Sequence, residues 1–169
     1  YAFFPYYISF VSIKETRDKG FICSGFKSGN HCTTEDIVVC KMDSAGFLQW
    51  SHIYGGYDRD DGGEILELMD GSFLLTGICE SFSSSLGRVL VMKIDSIGSI
   101  AWSKVICDNT AQQQSGFALK QDINGNMVIG GSDSTSLFII SLDMNGNLMW
   151  NKVISIPGFT LIPWALDLT

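Results

Sequence analysis

Basic residues are scarce in this chain. Eleven lysines and arginines stand against eighteen carboxylates, for a formal net charge of -7, and they form no cluster. Phosphate backbones and anionic bilayer surfaces select for such clusters, so nucleic acid and acidic membranes are set aside as partners. Histidine is scarcer still: His31 and His52 are the whole inventory. The cysteines include no CxxC pair, and a structural zinc site is therefore not expected. There is no GxSxG elbow, no HExxH helix and no phosphate-cradling glycine loop. No stretch of ten or more residues combines helical periodicity with capping signals. The apolar opening up to Ile13 falls short of the roughly 20 residues that a membrane span takes. The chain begins at Tyr1 without a methionine, which fits either a removed signal peptide or an excerpt from a longer protein. What remains is 46% hydrophobic, 12% aromatic and only 17% charged, enough to bury a core in one domain and too apolar for disorder.

What the chain has instead is repetition. Residues 41–53 (KMDSAGFLQWSHI), 93–105 (KIDSIGSIAWSKV) and 141–153 (SLDMNGNLMWNKV) align almost without gaps. Trp50 to Trp102 spans 52 residues and Trp102 to Trp150 spans 48, a period suited to one four-stranded propeller blade. A second block precedes each of these: 18–25 (DKGFICSG), 70–77 (DGSFLLTG) and 124–131 (NGNMVIGG). The distance from its first residue to the tryptophan is 32, 32 and 26 residues. Only the segment between the second and third strands of each repeat varies, as a loop does.

Each repeat reads as a four-stranded meander. In the second, strands are expected over 64–69, 72–78, 88–94 and 99–106, and Asp70-Gly71, Asn124-Gly125 and Asn145-Gly146 are read as tight two-residue hairpins. The third strands, 37–40 (IVVC), 89–92 (VLVM) and 137–140 (LFII), are unbroken apolar runs, which asks for cover on both faces. Blades packed between neighbouring blades supply it. The fourth strand is more polar and is placed outermost. The fold class is thus all-β: β-propeller-type four-stranded antiparallel blades, three complete repeats over about 8–57, 58–110 and 111–156, with partial strands at both ends. Residues 157–169 are read as the opening of a further blade. Closed propellers take about four to eight blades, so this is an open or partial propeller. Either it is a piece of a longer polypeptide or copies complete one another, because an unpaired sheet edge recruits other chains. The aromatic start 1–7 (YAFFPYY) is a candidate partner for such an edge, or else the outer strand of a preceding blade.

The pattern DG-S-F followed by apolar residues and Gly, then K-x-D-S-x-G-x-x-x-W-S-K, then 54–61 (YGGYDRDD), resembles the secreted β-propeller repeat proteins common in bacteria and their surface-layer relatives. The resemblance covers about residues 12–169. It implies a propeller at the cell surface or in the medium, noncatalytic, serving as a recognition or scaffold module. In the third repeat Asn124 replaces the Asp and Ser141 the Lys, and neither position is read as carrying chemistry. Quinoprotein dehydrogenases and outer-membrane assembly propellers have similar repeats, but their Asp and Trp lie one residue further apart than Asp43 and Trp50.

Asp43, Asp95 and Asp143, with Gly46, Gly98 and Gly146, recur at one place in every repeat and are read as turn residues, since an active site normally breaks repeat symmetry. Trp50, Trp102 and Trp150 are read as packing anchors between blades, with sugar stacking as the alternative. His52 aligns with Lys104 and Lys152 on an outer strand and is read as a solvated side chain. Asp58, Asp60, Asp61 and Glu64 crowd one segment, read as a loop, and form the best calcium candidate. Asp122, Asn124 and Asn126, like Asp143, Asn145 and Asn147, mimic the start of a calcium loop but also suit plain β-turns. Cys23 and Cys40 align with apolar residues and are read as core. Cys32, Cys79 and Cys107 fall in or beside loops, and Cys32 with Cys79 is the first pairing considered; the odd cysteine count leaves at least one thiol free or paired between chains. No cofactor beyond possible calcium is expected. The expected partners are further blades, copies of the same chain, or a protein or glycan. The alternative function is a fragment of a larger secreted enzyme, a hydrolase or quinoprotein-like, with its catalytic residues elsewhere.

Overall fold

A computed structural model describes residues 7–28, 35–81, 87–106, 114–133 and 136–155, and all regular structure in them is β-strand. The first blade holds β1 (Ile8–Glu15), β2 (Phe21–Ser28), β3 (Glu35–Met42) and β4 (Leu48–Tyr54). The second holds β5 (Asp60–Glu67), β6 (Phe73–Cys79), β7 (Arg88–Ile94) and β8 (Ile100–Ile106). The third holds β9 (Ser115–Gln121), β10 (Met127–Ser132), β11 (Ser136–Leu142) and β12 (Leu148–Ser155). Each blade is its own four-stranded antiparallel meander, and the sheets do not close into a barrel. Residues 1–6 and 156–169, on which the expected end strands fall, lie outside the described residues.

Register repeats with sequence. Cys23 faces Cys40 across β2 and β3, Leu75 faces Met92, and Ile129 faces Ile140. Lys41 faces Trp50, Lys93 faces Trp102 and Ser141 faces Trp150, with a bulge after each pair. One turn serves the hairpins between first and second strands and between third and fourth. In residues 43–47 the Asp43 N–H donates to the Phe47 carbonyl at 2.9 Å and the Gly46 N–H to the Asp43 carbonyl at 3.1 Å. The same two bonds close 16–20, 68–72, 95–99, 122–126 and 143–147. This corrects the two-residue hairpins: the hydrogen-bonded pair that closes each turn is separated by three residues, and the one positive φ falls on the fourth residue of the turn, as at Gly71 (φ 82°) and Gly98 (φ 88°). At 16–20 that place is held by Lys19, at φ 66°.

The core lies between blades. Ile22, Ile37 and Val39 of the first blade meet Ile65, Leu75 and Met92 of the second. The opposite face of the second, with Leu74, Val89 and Val91, meets Leu119, Met127 and Ile129 of the third. The middle β7 is buried at every apolar position, from Val89 through Met92, which is what its unbroken run demanded. In the end blades the corresponding strands are only partly covered, as at Cys40, Leu137 and Ile139. The innermost strands meet at Glu64 on β5: one carboxylate oxygen pairs with Lys14 on β1 at 2.7 Å, and the other accepts the Leu119 N–H of β9 at 2.8 Å. The blades are thus packed radially, first strands inside and fourth strands outside.

One strand boundary departs from the sequence reading. β5 begins at Asp60 rather than 64, and Asp60, Asp61 and Gly62 pair with Cys79, Ile78 and Gly77 of β6. The acidic segment is largely strand, not loop.

Candidate functional site

The recurring aspartates cap their own turns. Asp43 Oδ1 accepts the Ala45 and Phe47 N–H groups, each at 2.9 Å. Asp95 Oδ1 does the same for Ile97 and Ser99, and Asp143 Oδ1 for Asn145 and Asn147. The backbone N–H of Asn147, then its side-chain amide, hold the Asp143 carboxyl below its ordinary value. The Asp122, Asn124, Asn126 trio makes an equivalent cap, with Asp122 Oδ1 accepting both asparagine N–H groups at 2.8 Å.

Two of these capped turns, 95–99 and 143–147, dock onto the preceding blade. Trp50, His52 and Tyr54 alternate along β4 and therefore share one face. They reach three successive carbonyls of the β7–β8 turn: Trp50 Nε1 donates to Ser96 O at 3.1 Å, His52 Nε2 bonds Ile97 O at 3.0 Å, and the Tyr54 hydroxyl donates to Gly98 O at 2.6 Å. The Trp50 ring also stands edge-on to Phe73, with centroids 6.1 Å apart. Burial, with the Asp95 charge behind it, pushes the Tyr54 phenol up to about 12, so it remains a donor. Gly98 is required twice over. Its φ is 88°, and an added Cβ would stand 2.2 Å from His52 Cδ2.

The second blade holds the third in the same way. Lys104 Nζ donates to Gly146 O at 2.6 Å, and a Cβ on Gly146 would meet Trp102 Cη2 at 3.0 Å. A tryptophan with a polar residue two positions later thus forms a clasp for the D-x-x-G turn of the next blade. His52, read as a solvated side chain on an outer strand, is solvent-exposed, and its ring nitrogen also bonds Ile97 O. In the third copy of the clasp no turn is held among the described residues, and Trp150 is 44% exposed, Ile154 45%, and Lys152 exposed.

A further repeated pair escaped the sequence reading. Lys41, 5% exposed, bonds both Asp18 oxygens, at 2.8 and 3.1 Å, as well as Met42 O and Gln49 Oε1. Lys93 pairs with Asp70 at 2.8 Å. Hydrogen bonds from Lys41, then Thr16 and Gly20, hold the Asp18 carboxyl well below its ordinary range. Burial raises the Asp70 carboxyl, but Lys93 and Ser72 outweigh it and bring it down to about 2. The corresponding third-blade residues are Asn124 and Ser141, so the two departures seen in the sequence are the two ends of one missing ion pair. Their joint change was the available signal.

The calcium candidates do not converge. Asp60, 1% exposed, is used up by the N–H groups of Gly56, Glu80 and Ser81 and by the Ser81 hydroxyl. Asp61 is bonded to Arg59, which also holds Glu35 at 2.7 Å. Glu64 is the inner hub, and Asp58 is an exposed residue whose carbonyl accepts the Ser81 hydroxyl. Strand alternation separates what a loop would have gathered, and among the described residues no group of three or more His, Cys, Asp or Glu is placed to hold a metal. Asp61 is unusual in its own right. Its Oδ1 is buried without a hydrogen-bond partner, and burial pushes the carboxyl up to about 6, with Arg59 pulling it down and Glu35 pushing it further up.

Cys23 and Cys40 are free thiols facing one another in the register slot that holds Leu75 and Met92 in the next blade, and burial raises both thiols. Cys79 is 1% exposed in the core between the first two blades. Cys32 and Cys107 lie outside the described residues, and with Cys32 so does the expected Cys32–Cys79 pairing. An apolar cleft of about 410 Å³ opens at the seam of the first two blades, between Ile37 and Tyr54 on one side and Leu90, Met92 and Val105 on the other. No helix among the described residues is long and apolar enough to cross a membrane.

No protein-family model matches the chain, and no curated protein is similar to it. Among solved structures it resembles a protein of unknown function from Bacteroides caccae, with a TM-score of 0.57 and 13% sequence identity over 92% of this chain and 50% of that one. The likeness is one of fold, and the chain spans about half the length of that structure.

Proposed function

We propose that the protein is a noncatalytic structural or recognition scaffold of the β-propeller type, acting at the cell surface or in the medium and completed by further blades or by copies of itself. The carrying observation is how the repeated polar residues are used. Asp43, Asp95 and Asp143 cap turns, while Trp50, His52, Tyr54, Trp102 and Lys104 hold the next blade. Residues at symmetric positions are engaged in architecture, and blade addition is the one operation they perform repeatedly. The acidic net charge of -7 suits an extracellular surface that avoids nucleic acid. The test is protease shaving of intact cells together with immunoblotting of the medium. Signal in the medium, or signal removed by protease without lysis, supports the reading. A protein protected until the cells are broken overturns it.

A further inference from the structure

A cleft recurs at both seams between blades, and its size differs between them. The one between the first and second blades holds about 410 Å³, the one between the second and third about 150 Å³. Every residue lining the smaller cleft stands at the repeat position of one lining the larger, so that Val89 answers to Ile37 and Val153 to Val105. The register agrees. Leu90 faces Val105 across β7 and β8 as Phe138 faces Val153 across β11 and β12, and Met92 faces Ser103 as Ile140 faces Asn151.

The smaller cleft shows how such a seam is filled. Phe138 stands where the first seam has Leu90, and Asn151 where it has Ser103. Both exchanges put more side chain into the gap. Tyr54 in place of Ile106 works the other way, but its hydroxyl is fixed on Gly98 O at 2.6 Å, which holds the ring to the turn. The first seam therefore keeps an opening that the packing of blades does not by itself impose. Its volume lies in the range of about 300–1,000 Å³ at which small-molecule pockets occur.

The lining determines what can enter. Its walls are aliphatic, and two of the lining residues, Ile53 and Ile100, remain 53% and 52% exposed. No lysine, arginine or histidine lines it. The one carboxylate, Asp60, is 1% exposed and already accepts hydrogen bonds from Gly56, Glu80 and Ser81 on both oxygens. A charged ligand would give up its hydration and find no free counter-charge. We infer that the cleft between the first and second blades binds one uncharged, apolar small molecule, with Leu90 and Ser103 setting the space it has. This goes beyond the scaffold reading and depends on neither the location of the protein nor any further blade.

The test uses the 169-residue chain and N-phenylnaphthylamine, a neutral aromatic dye whose emission rises in apolar surroundings, with equilibrium dialysis to count sites. Wild type is expected to bind one dye per chain, saturably and in the micromolar range. Leu90→Phe combined with Ser103→Asn copies the filled seam and is expected to weaken binding about tenfold or more, the scale on which an apolar pocket answers to a change of one methylene. Added bulk at the buried Leu90 can strain the core. Ser103→Trp, made at an exposed position on β8, plugs the cleft without that risk and is expected to weaken binding as much. Far-UV circular dichroism and urea midpoints establish which variants are folded. Wild type without saturable binding overturns the inference, as do several equivalent dyes per chain or a folded variant that binds as tightly as wild type. Protection of the protein inside intact cells sinks the extracellular scaffold reading while leaving this site untouched.

Discussion

Gly98→Ala separates the cost of a strained turn from the cost of a broken blade contact. Gly71 and Gly98 occupy the same place in the same turn, at φ 82° and 88°, but a Cβ on Gly71 meets nothing within 4 Å whereas one on Gly98 stands 2.2 Å from His52 Cδ2. Alanine in the left-handed region costs about 1–2 kcal/mol, offset by about 0.4–1 kcal/mol because the unfolded chain loses freedom too. Gly71→Ala is therefore expected to cost about 1 kcal/mol. Gly98→Ala carries the same charge plus eviction of the His52 ring. That forfeits its bond to Ile97 O, about 1 kcal/mol, and the packing of His52 and Trp50 on the turn, about 0.5–1.5 kcal/mol. The expected total is about 3 kcal/mol. Gly146→Ala, whose Cβ would meet Trp102 and Lys104 at 3.0–3.1 Å, falls between them, because side-chain neighbours can give by a few tenths of an ångström.

Urea denaturation followed by tryptophan fluorescence reads all three variants. His52→Ala made in the Gly98→Ala background supplies a double-mutant cycle, with an expected coupling of about 1–2 kcal/mol because removing the ring removes the clash. If Gly98→Ala destabilises no more than Gly71→Ala, or the cycle shows no coupling, the clasp geometry is wrong and the tryptophans need another role.

Further outcomes follow from the turns and the carboxylates. Lys19 holds a left-handed conformation at φ 66° in a place where the other turns have glycine. Lys19→Gly relieves about 1–2 kcal/mol of strain against about 0.5–1 kcal/mol of extra unfolded-state freedom, so calorimetry is expected to show a slightly raised melting temperature; a lowered one refutes the assignment. Stability is expected to change with pH in two opposite windows. Asp18 and Asp70 are held below their ordinary value of 3.8, Asp70 at about 2. Their contribution is complete above that value and is lost as pH falls towards about 2. Asp61, raised to about 6, binds its proton more tightly when folded, so stability falls as pH rises from about 4 to about 6 and is flat above. Asp61→Asn should abolish that upper decline in urea midpoints while leaving the acid limb intact, and a decline that persists in the variant excludes Asp61 as its source.

Much of the architecture was legible because it is written redundantly. The apolar run 89–92 asked for cover on both faces, and β7 has it; at 37–40 only Cys40 is less than buried, whereas in 137–140 Leu137 and Ile139, on the face away from the second blade, are half-buried. The acidic start of β5 was misread because Asp60, Asp61, Gly62 and Gly63 look like loop. Tertiary demands override that composition. Gly62 is close to Gly25 O of the first blade, 2.5 Å from where a Cβ would be, and Gly63 to Thr76 O and Gly116 O, so these glycines mark close approach of inner strands rather than a turn. The buried Asp60 is tolerated because its oxygens are hydrogen-bonded. The clasp itself was out of reach. It joins residues 42–46 positions apart, and His52 and Lys104 make equivalent bonds with different chemistry, so no conserved-looking pair advertises it. The Asp18–Lys41 and Asp70–Lys93 pairs were within reach, since both partners vanish together in the third repeat.

Stability in such an array resides chiefly between units. A blade alone presents two apolar faces to water, and burial of an aliphatic side chain contributes about 1.5–3 kcal/mol, so a step such as Ile13 at 61% exposure to Ile65 at 0% measures what each added neighbour supplies at one position. In a nearest-neighbour description the middle blade makes two interfaces and each end blade one.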